Sequence, residues 1–159
     1  VEGPSVDPVG TPEWMHVKWS HAAAGDRKAV DVHWWDGGSA PEGAPQGDSH
    51  VFIGTRGRIV SNYSSMKVEL TDPAAQWQAP RPTIASSPGH YVEWLDAIEN
   101  GTPSSPLCSF DYSGPLTQTV LLATVAYRAG GQAKWDADKG MFDAGAELLG
   151  SEDRPGWDV

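Results

Sequence analysis

Apolar and polar residues alternate along the first half of the chain. In MHVKWSHA, Met15, Val17 and Trp19 alternate with His16, Lys18 and Ser20, the pattern of a strand that buries one face. KAVDVHWWDGG repeats it, with Val30, Val32 and Trp34 on one face and Asp31, His33 and Trp35 on the other. Between them AAAGDRK supplies Gly25-Asp26 as a turn, which predicts a hairpin. The run GGSAPEGAPQGD has the composition of an exposed loop. VFIGTRGRIVSNY then offers two short apolar runs, 51–53 and 59–63, on either side of GTRG, a second hairpin signal. MKVEL is a fifth strand, and SVDPV near the start is another, its Pro8 marking a bulge or an edge.

The second half changes period. In PGHYVEWLDAIENG, Tyr91, Trp94, Leu95 and Ile98 fall at i, i+3, i+4 and i+7, one stripe of a helix, which places Trp94 in the core. Ser87 suits the N-cap, Pro88 the first helical position and Gly101 the left-handed position at the end. YSGPLTQTVLLATVAYRAGG predicts a second helix, capped by Ser113 or Asp111 and stopped by Gly130-Gly131. Residues 120–126 are apolar nearly all round, so this helix is expected to be central and to cover a sheet face. AKWDAD returns to strand with Trp135 in the core, and GSEDRPGWDV is expected to be extended. Strands linked by hairpins and followed by helices make an α+β domain. The expected form is an open, mostly antiparallel sheet with two main helices packed on one face, in a single domain over residues 1–159.

Composition narrows the class. At 159 residues and 17.0 kDa, with 39% apolar and 20% charged residues, the chain has material for a packed core. Eleven basic against twenty-one acidic residues give a net charge of −10 with no basic stripe, which argues against a nucleic-acid partner. The longest apolar run, TVLLATVAY, is too short to span a bilayer, so no membrane is expected. A single cysteine, Cys108, forms neither an intrachain disulfide nor a Cys-based zinc site. The start lacks a basic segment followed by an apolar one, so no signal peptide is visible, and it lacks an initiator Met, which leaves room for a preceding segment. Eight Trp is many for this length, and Trp serves as core anchor or as a stacking surface for ligands.

Candidate chemistry is sparse. Gly54-Thr55-Arg56-Gly57 lies between two strands, where a hairpin turn is the better reading than a phosphate cradle, so no cofactor-binding residue is assigned. His90 and Glu93 share a helix face, but two ligands do not make a metal site and the other histidines are scattered on strands. His90 either faces solvent or the preceding loop, or it contacts substrate. One indole of Trp34-Trp35 is expected in the core, and the other meets a partner subunit or a sugar ring. No serine sits in a nucleophile elbow. Asp111, Asp136 and Asp138 read as paired acids for glycoside chemistry, or more simply as a helix cap and a turn. Asn62-Tyr63-Ser64 fits a glycosylation sequon, a pattern too short to carry weight.

The order of segments carries further. WWDGG, VFIGTRGRIV, PGHYVEWLDAIENGTPSS, FDYSGPLTQTVLLATVAYRAGG and KWDAD together resemble the C-terminal domain of bacterial oxidoreductases of the glucose–fructose oxidoreductase/inositol dehydrogenase (Gfo/Idh/MocA) family. The resemblance runs over residues 30–138, with a tail to Trp157. It implies a parent enzyme whose N-terminal Rossmann domain binds NAD or NADP. It also implies a C-terminal domain that closes over the nicotinamide, shapes the sugar pocket and oligomerises through its free sheet face. The family's cofactor fingerprint and its E-K-P lysine do not occur here, so no catalytic residue is carried over. The loop 80–87, with Arg81, and the helix start at His90 are expected to face the substrate cleft, and Trp35 is the third candidate sugar contact. The implied function is a substrate-binding and oligomerisation domain of an NAD(P)-dependent sugar or polyol oxidoreductase, not catalytic alone. A stand-alone carbohydrate-binding or assembly module is the alternative, and a glycoside hydrolase a further one. Members of such families occur in the cytoplasm or are exported.

Overall fold

The computed structural model describes residues 1–7 and 10–143. The expected extended tail and the match to Trp157 lie outside those residues, as do Pro8 and Val9 of the SVDPV segment. The fold is α+β, with open antiparallel sheets and two helices. Among the described residues the strands do not join into one sheet; they form three small ones, of order β1-β2, β3-β4-β5 and β6-β7. Residues Pro41–Ser86 form one unit, and the described residues on either side of it form the other.

In the larger unit, β1 (Met15–His21) and β2 (Val30–Asp36) pair antiparallel about the Gly25-Asp26 turn, where Ala24 and Arg27 exchange both backbone hydrogen bonds. The register places Val17 opposite Trp34 and Trp19 opposite Val32 on one face. On the outer edge of β1, Glu2 and His16 exchange backbone bonds of 2.8 and 2.9 Å.

Helix α1 (His90–Asn100) begins later than its sequence suggests. Gly89 takes the N-cap position, and Ser87 lies two residues upstream, accepting a 3.0 Å bond from the Gly89 N–H. The end is as expected. Gly101 at φ 63° lets the Thr102 N–H reach the Ala97 carbonyl at 2.9 Å, a conformation costly for a residue with a Cβ. The apolar stripe does not reach a core. Trp94, Leu95 and Ile98 are more than half exposed and only Ala97 is buried, because among the described residues no element lies over that stripe.

Helix α2 (Phe110–Arg128) starts ahead of both expected caps, with Ser109 at the N-cap and Pro115 inside. Pro115 falls in its second turn and withholds the N–H that the Asp111 carbonyl would otherwise accept. Only one side of α2 is covered. Ala123 and Tyr127, four residues apart, are buried, whereas Val120 and Leu121 are exposed. A helix apolar all round needs cover on every side; among the described residues α2 meets β1 and the N-terminal segment. There the Trp19 indole donates to the Thr119 carbonyl, the Tyr127 hydroxyl reaches Pro4 and Ser5, and the Tyr127 ring lies against the Gly3 backbone. Val17, 1% exposed, is the most deeply buried large side chain.

A short hairpin of β6 (Trp135–Asp136) and β7 (Met141–Phe142) closes the unit. Trp135 is half-buried, with its ring edge-on to Phe142 at 5.0 Å.

The smaller unit is a three-stranded meander of β3 (His50–Gly54), β4 (Gly57–Ser61) and β5 (Met66–Leu70). Thr55-Arg56 form the two-residue turn between Gly54 and Gly57, so GTRG is a hairpin. A Cβ on Gly57 would meet the Glu69 carbonyl oxygen at 2.1 Å, so β5 can cross here only against glycine. The β4–β5 turn is built by Asn62, whose Oδ1 accepts from the Ser64 and Ser65 N–H groups at 2.9 and 2.8 Å.

Candidate functional site

The β1–β2 register brings His16, Lys18 and Ser20 onto one face with Trp35, His33 and Asp31 directly opposite them. This is the polar face that the alternation predicts. It holds an aromatic cluster. His16 Nε2 and His33 Nδ1 are 3.0 Å apart, and their ring centroids are 5.3 Å apart with planes 19° apart. Those values describe two imidazoles joined edge to edge by one N–H···N bond. The Trp35 indole is near-parallel to both, with centroids at 4.7 and 5.2 Å and planes within 6° and 13°.

Neighbouring charges orient the cluster. The Glu2 carboxylate lies 3.5 Å from His16 Nδ1, which favours a proton on that nitrogen and leaves Nε2 to accept from His33. Lys18 Nζ pairs with Asp31 at 2.8 Å. The Lys18 bond, then one from Ser20, holds the Asp31 carboxyl below its ordinary value. The result is a flat aromatic surface beside an ion pair and a hydroxyl. Trp35, 37% exposed, keeps apolar surface open beside these polar groups.

Of the three predicted contact residues, Trp35 lies on β2 and His90 at the start of α1 in the larger unit, and Arg81 lies in the smaller one. Trp35 belongs to this cluster. Trp34, on the other face, is 48% exposed, so neither indole of the pair is core. His90 is exposed at the start of α1, its ring tilted against Tyr91 at 4.1 Å, and no hydrogen bond or ring contact joins it to Trp35. Arg81 is exposed in the other unit, without an ionic or hydrogen-bond partner among the described residues. Glu93 braces the fold: it accepts the Leu107 N–H at 2.8 Å, and the Ser87 hydroxyl followed by that N–H holds its carboxyl below its ordinary value. Asp136 is also occupied, accepting from the Asp138 and Lys139 N–H groups and pairing with Lys139 Nζ at 2.6 Å. Among the described residues no group of three His, Cys, Asp or Glu side chains is placed to hold a metal ion, and no helix is long and apolar enough to cross a membrane.

His16 and His33 are the functional candidates that sequence reading missed. The signal was present in the turn: counting outward from Gly25-Asp26 sets His16 opposite Trp35 and places His33 two residues from it on the same face.

In comparison with known proteins, no family model, no curated protein and no solved structure matches the chain.

Proposed function

We propose that the chain is the substrate-binding and oligomerisation portion of an NAD(P)-dependent sugar or polyol oxidoreductase, whose cofactor is held by a Rossmann domain outside it. The observation that carries this reading is the His16–Trp35–His33 surface. It is a stacking platform for a sugar ring, set beside Lys18 and Asp31. The ordered blocks of the Gfo/Idh/MocA resemblance supply the reaction class. The chain binds and orients the sugar, and hydride transfer waits on the domain that brings the nicotinamide.

A second reading is a stand-alone carbohydrate-binding module. It is favoured by the platform's lying wholly within one hairpin, so that no second domain is needed to complete it.

Ligand-observed saturation-transfer NMR with a panel of hexoses, pentoses and polyols tests the platform. Transfer to the C–H face of at least one sugar is expected, lost in Trp35→Ala and kept in Trp94→Ala. No transfer from any member of the panel overturns both readings. Reading the coding sequence upstream of Val1 separates them: a strand followed by G-x-G-x-x-G and a helix supports the oxidoreductase, and its absence the binding module.

A further inference from the structure

We propose that the free edge of β5 pairs antiparallel with β5 of a second copy of this chain, about a two-fold axis through Val68. The contact uses the edge of the three-stranded sheet and is separate from the Trp35 face, so it stands independently of the sugar-binding reading.

Three features of β5 converge. The first is backbone phase. Beyond the strands, the Asn62 N–H donates to the Ser65 carbonyl and the Thr71 N–H to the Arg56 carbonyl. Antiparallel hydrogen-bonded pairs alternate along a ladder, so Lys67 and Glu69 direct their N–H and C=O groups to β4. Met66, Val68 and Leu70 direct theirs outward, and among the described residues nothing receives them. An edge that presents a row of such groups is a template for another strand.

The second feature is charge. MKVEL reads as a pseudo-palindrome about Val68. Antiparallel pairing centred there sets Val68 against Val68, Met66 against Leu70, and Lys67 against Glu69 of the second copy, twice over. That register also joins all three outward-facing residues by reciprocal main-chain bonds. Centring the pair on Lys67 or on Glu69 would oppose like charges, so charge selects the register. A lone lysine on a strand edge normally discourages pairing; here each Lys67, whose side chain is 75% exposed, meets a carboxylate. The other edge strand, β3, carries no Asp, Glu, Lys or Arg that would select a register.

The third feature is an apolar row. Met66, Val68 and Leu70 share the face away from Lys67 and Glu69, and with Pro73 and Trp77 they line a groove of about 400 Å³. Two-fold pairing sets the Met66, Val68 and Leu70 row of one copy beside the same row of the second. An isologous contact of this kind closes on itself and makes a dimer.

Disulfide trapping reads the register directly. In a Cys108→Ser background, Val68→Cys places two thiols across the axis, where directly opposed hydrogen-bonded residues have Cα atoms about 5.5 Å apart, within disulfide reach. Mild oxidation is expected to convert most of this variant to a covalent dimer, at least tenfold faster than Thr55→Cys in the same background. Equal rates overturn the proposal. Lys67→Glu should slow the trapping at least tenfold. Mixing Val68→Cys chains that carry Lys67→Glu with Val68→Cys chains that carry Glu69→Lys should restore it, as a mixed dimer resolved by mass spectrometry. Mixing that restores nothing, with circular dichroism showing both variants folded, also overturns the proposal. Trp35→Ala leaves this trapping unchanged, which distinguishes failure of the β5 contact from failure of the sugar platform.

Discussion

The indole N–H of Trp19 donates to the main-chain carbonyl of Thr119 at 3.1 Å, tying β1 to α2 across a hundred residues of chain. Thr119 lies in the middle of α2, where its carbonyl already serves the helix, so the indole is a second donor on that oxygen. The bond fixes where along α2 the strand docks. Trp19→Phe keeps a ring and removes the donor, and is expected to cost about 1 kcal/mol. Trp19→Ala removes the packing as well and is expected to cost about 3 kcal/mol. Urea unfolding followed by far-ultraviolet circular dichroism measures both.

Burial separates residues that the sequence makes equivalent. Val17 and Trp94 both fall on predicted buried faces, yet Val17 is 1% exposed and Trp94 61%. Val17→Ala removes two methyl groups from a filled site and should lower stability by about 2 kcal/mol. Trp94→Ala should leave it within about 0.5 kcal/mol, as a surface substitution does. Reversal of that order in a denaturant titration would mean that something covers α1 in solution.

Tyr127 holds the N-terminal segment. Its hydroxyl lies 2.8 Å from the Pro4 carbonyl and 3.0 Å from that of Ser5, and its one proton is shared between them. Tyr127→Phe leaves the ring against Gly3 and strands both carbonyls. The expected cost is about 1–2 kcal/mol, with faster amide exchange at Glu2 and His16, whose mutual bonds depend on that segment's position.

What the sequence made legible was local. The Gly25-Asp26 turn, the GTRG hairpin and the Gly101 helix end are each fixed by backbone conformations that few residues adopt, and each forms where its residues predict. The start of α2 differs from its expected place: Asp111 or Ser113 suits a cap, whereas Ser109 takes that position and the helix absorbs Pro115 in its second turn. The division into three sheets was not legible. Alternation tells a strand which face it buries, and says nothing of whether β2 joins β3. The stripe of Trp94, Leu95 and Ile98 fails for a related reason: amphipathic spacing records a demand for cover without identifying what supplies it. At the site, the alternation gave the face correctly, and only the turn count, which sets strand against strand, gathers His16, His33 and Trp35 into one cluster.

The acid stability of the smaller unit is expected to depend on Glu69. Its carboxylate takes a 2.8 Å bond from Lys67 Nζ and another from the Arg58 guanidinium, and these, Lys67 first, hold its carboxyl below the ordinary value of 4.5. A carboxylate that is harder to protonate folded than unfolded contributes stability that is complete above the unfolded value. It loses that contribution as pH falls through the lower folded value. Amide protection at Lys67 and Glu69, the positions bonded to β4, should therefore decline as pH is lowered from about 5 towards 3. Glu69→Gln has no such titration. It should show weaker protection at neutral pH, since Lys67 and Arg58 lose their anion, and a flatter profile through the acid range. The contrast is blunted by salt, because Lys67 is open to solvent. Parallel profiles for the two proteins would assign the acid sensitivity of this sheet to some other group.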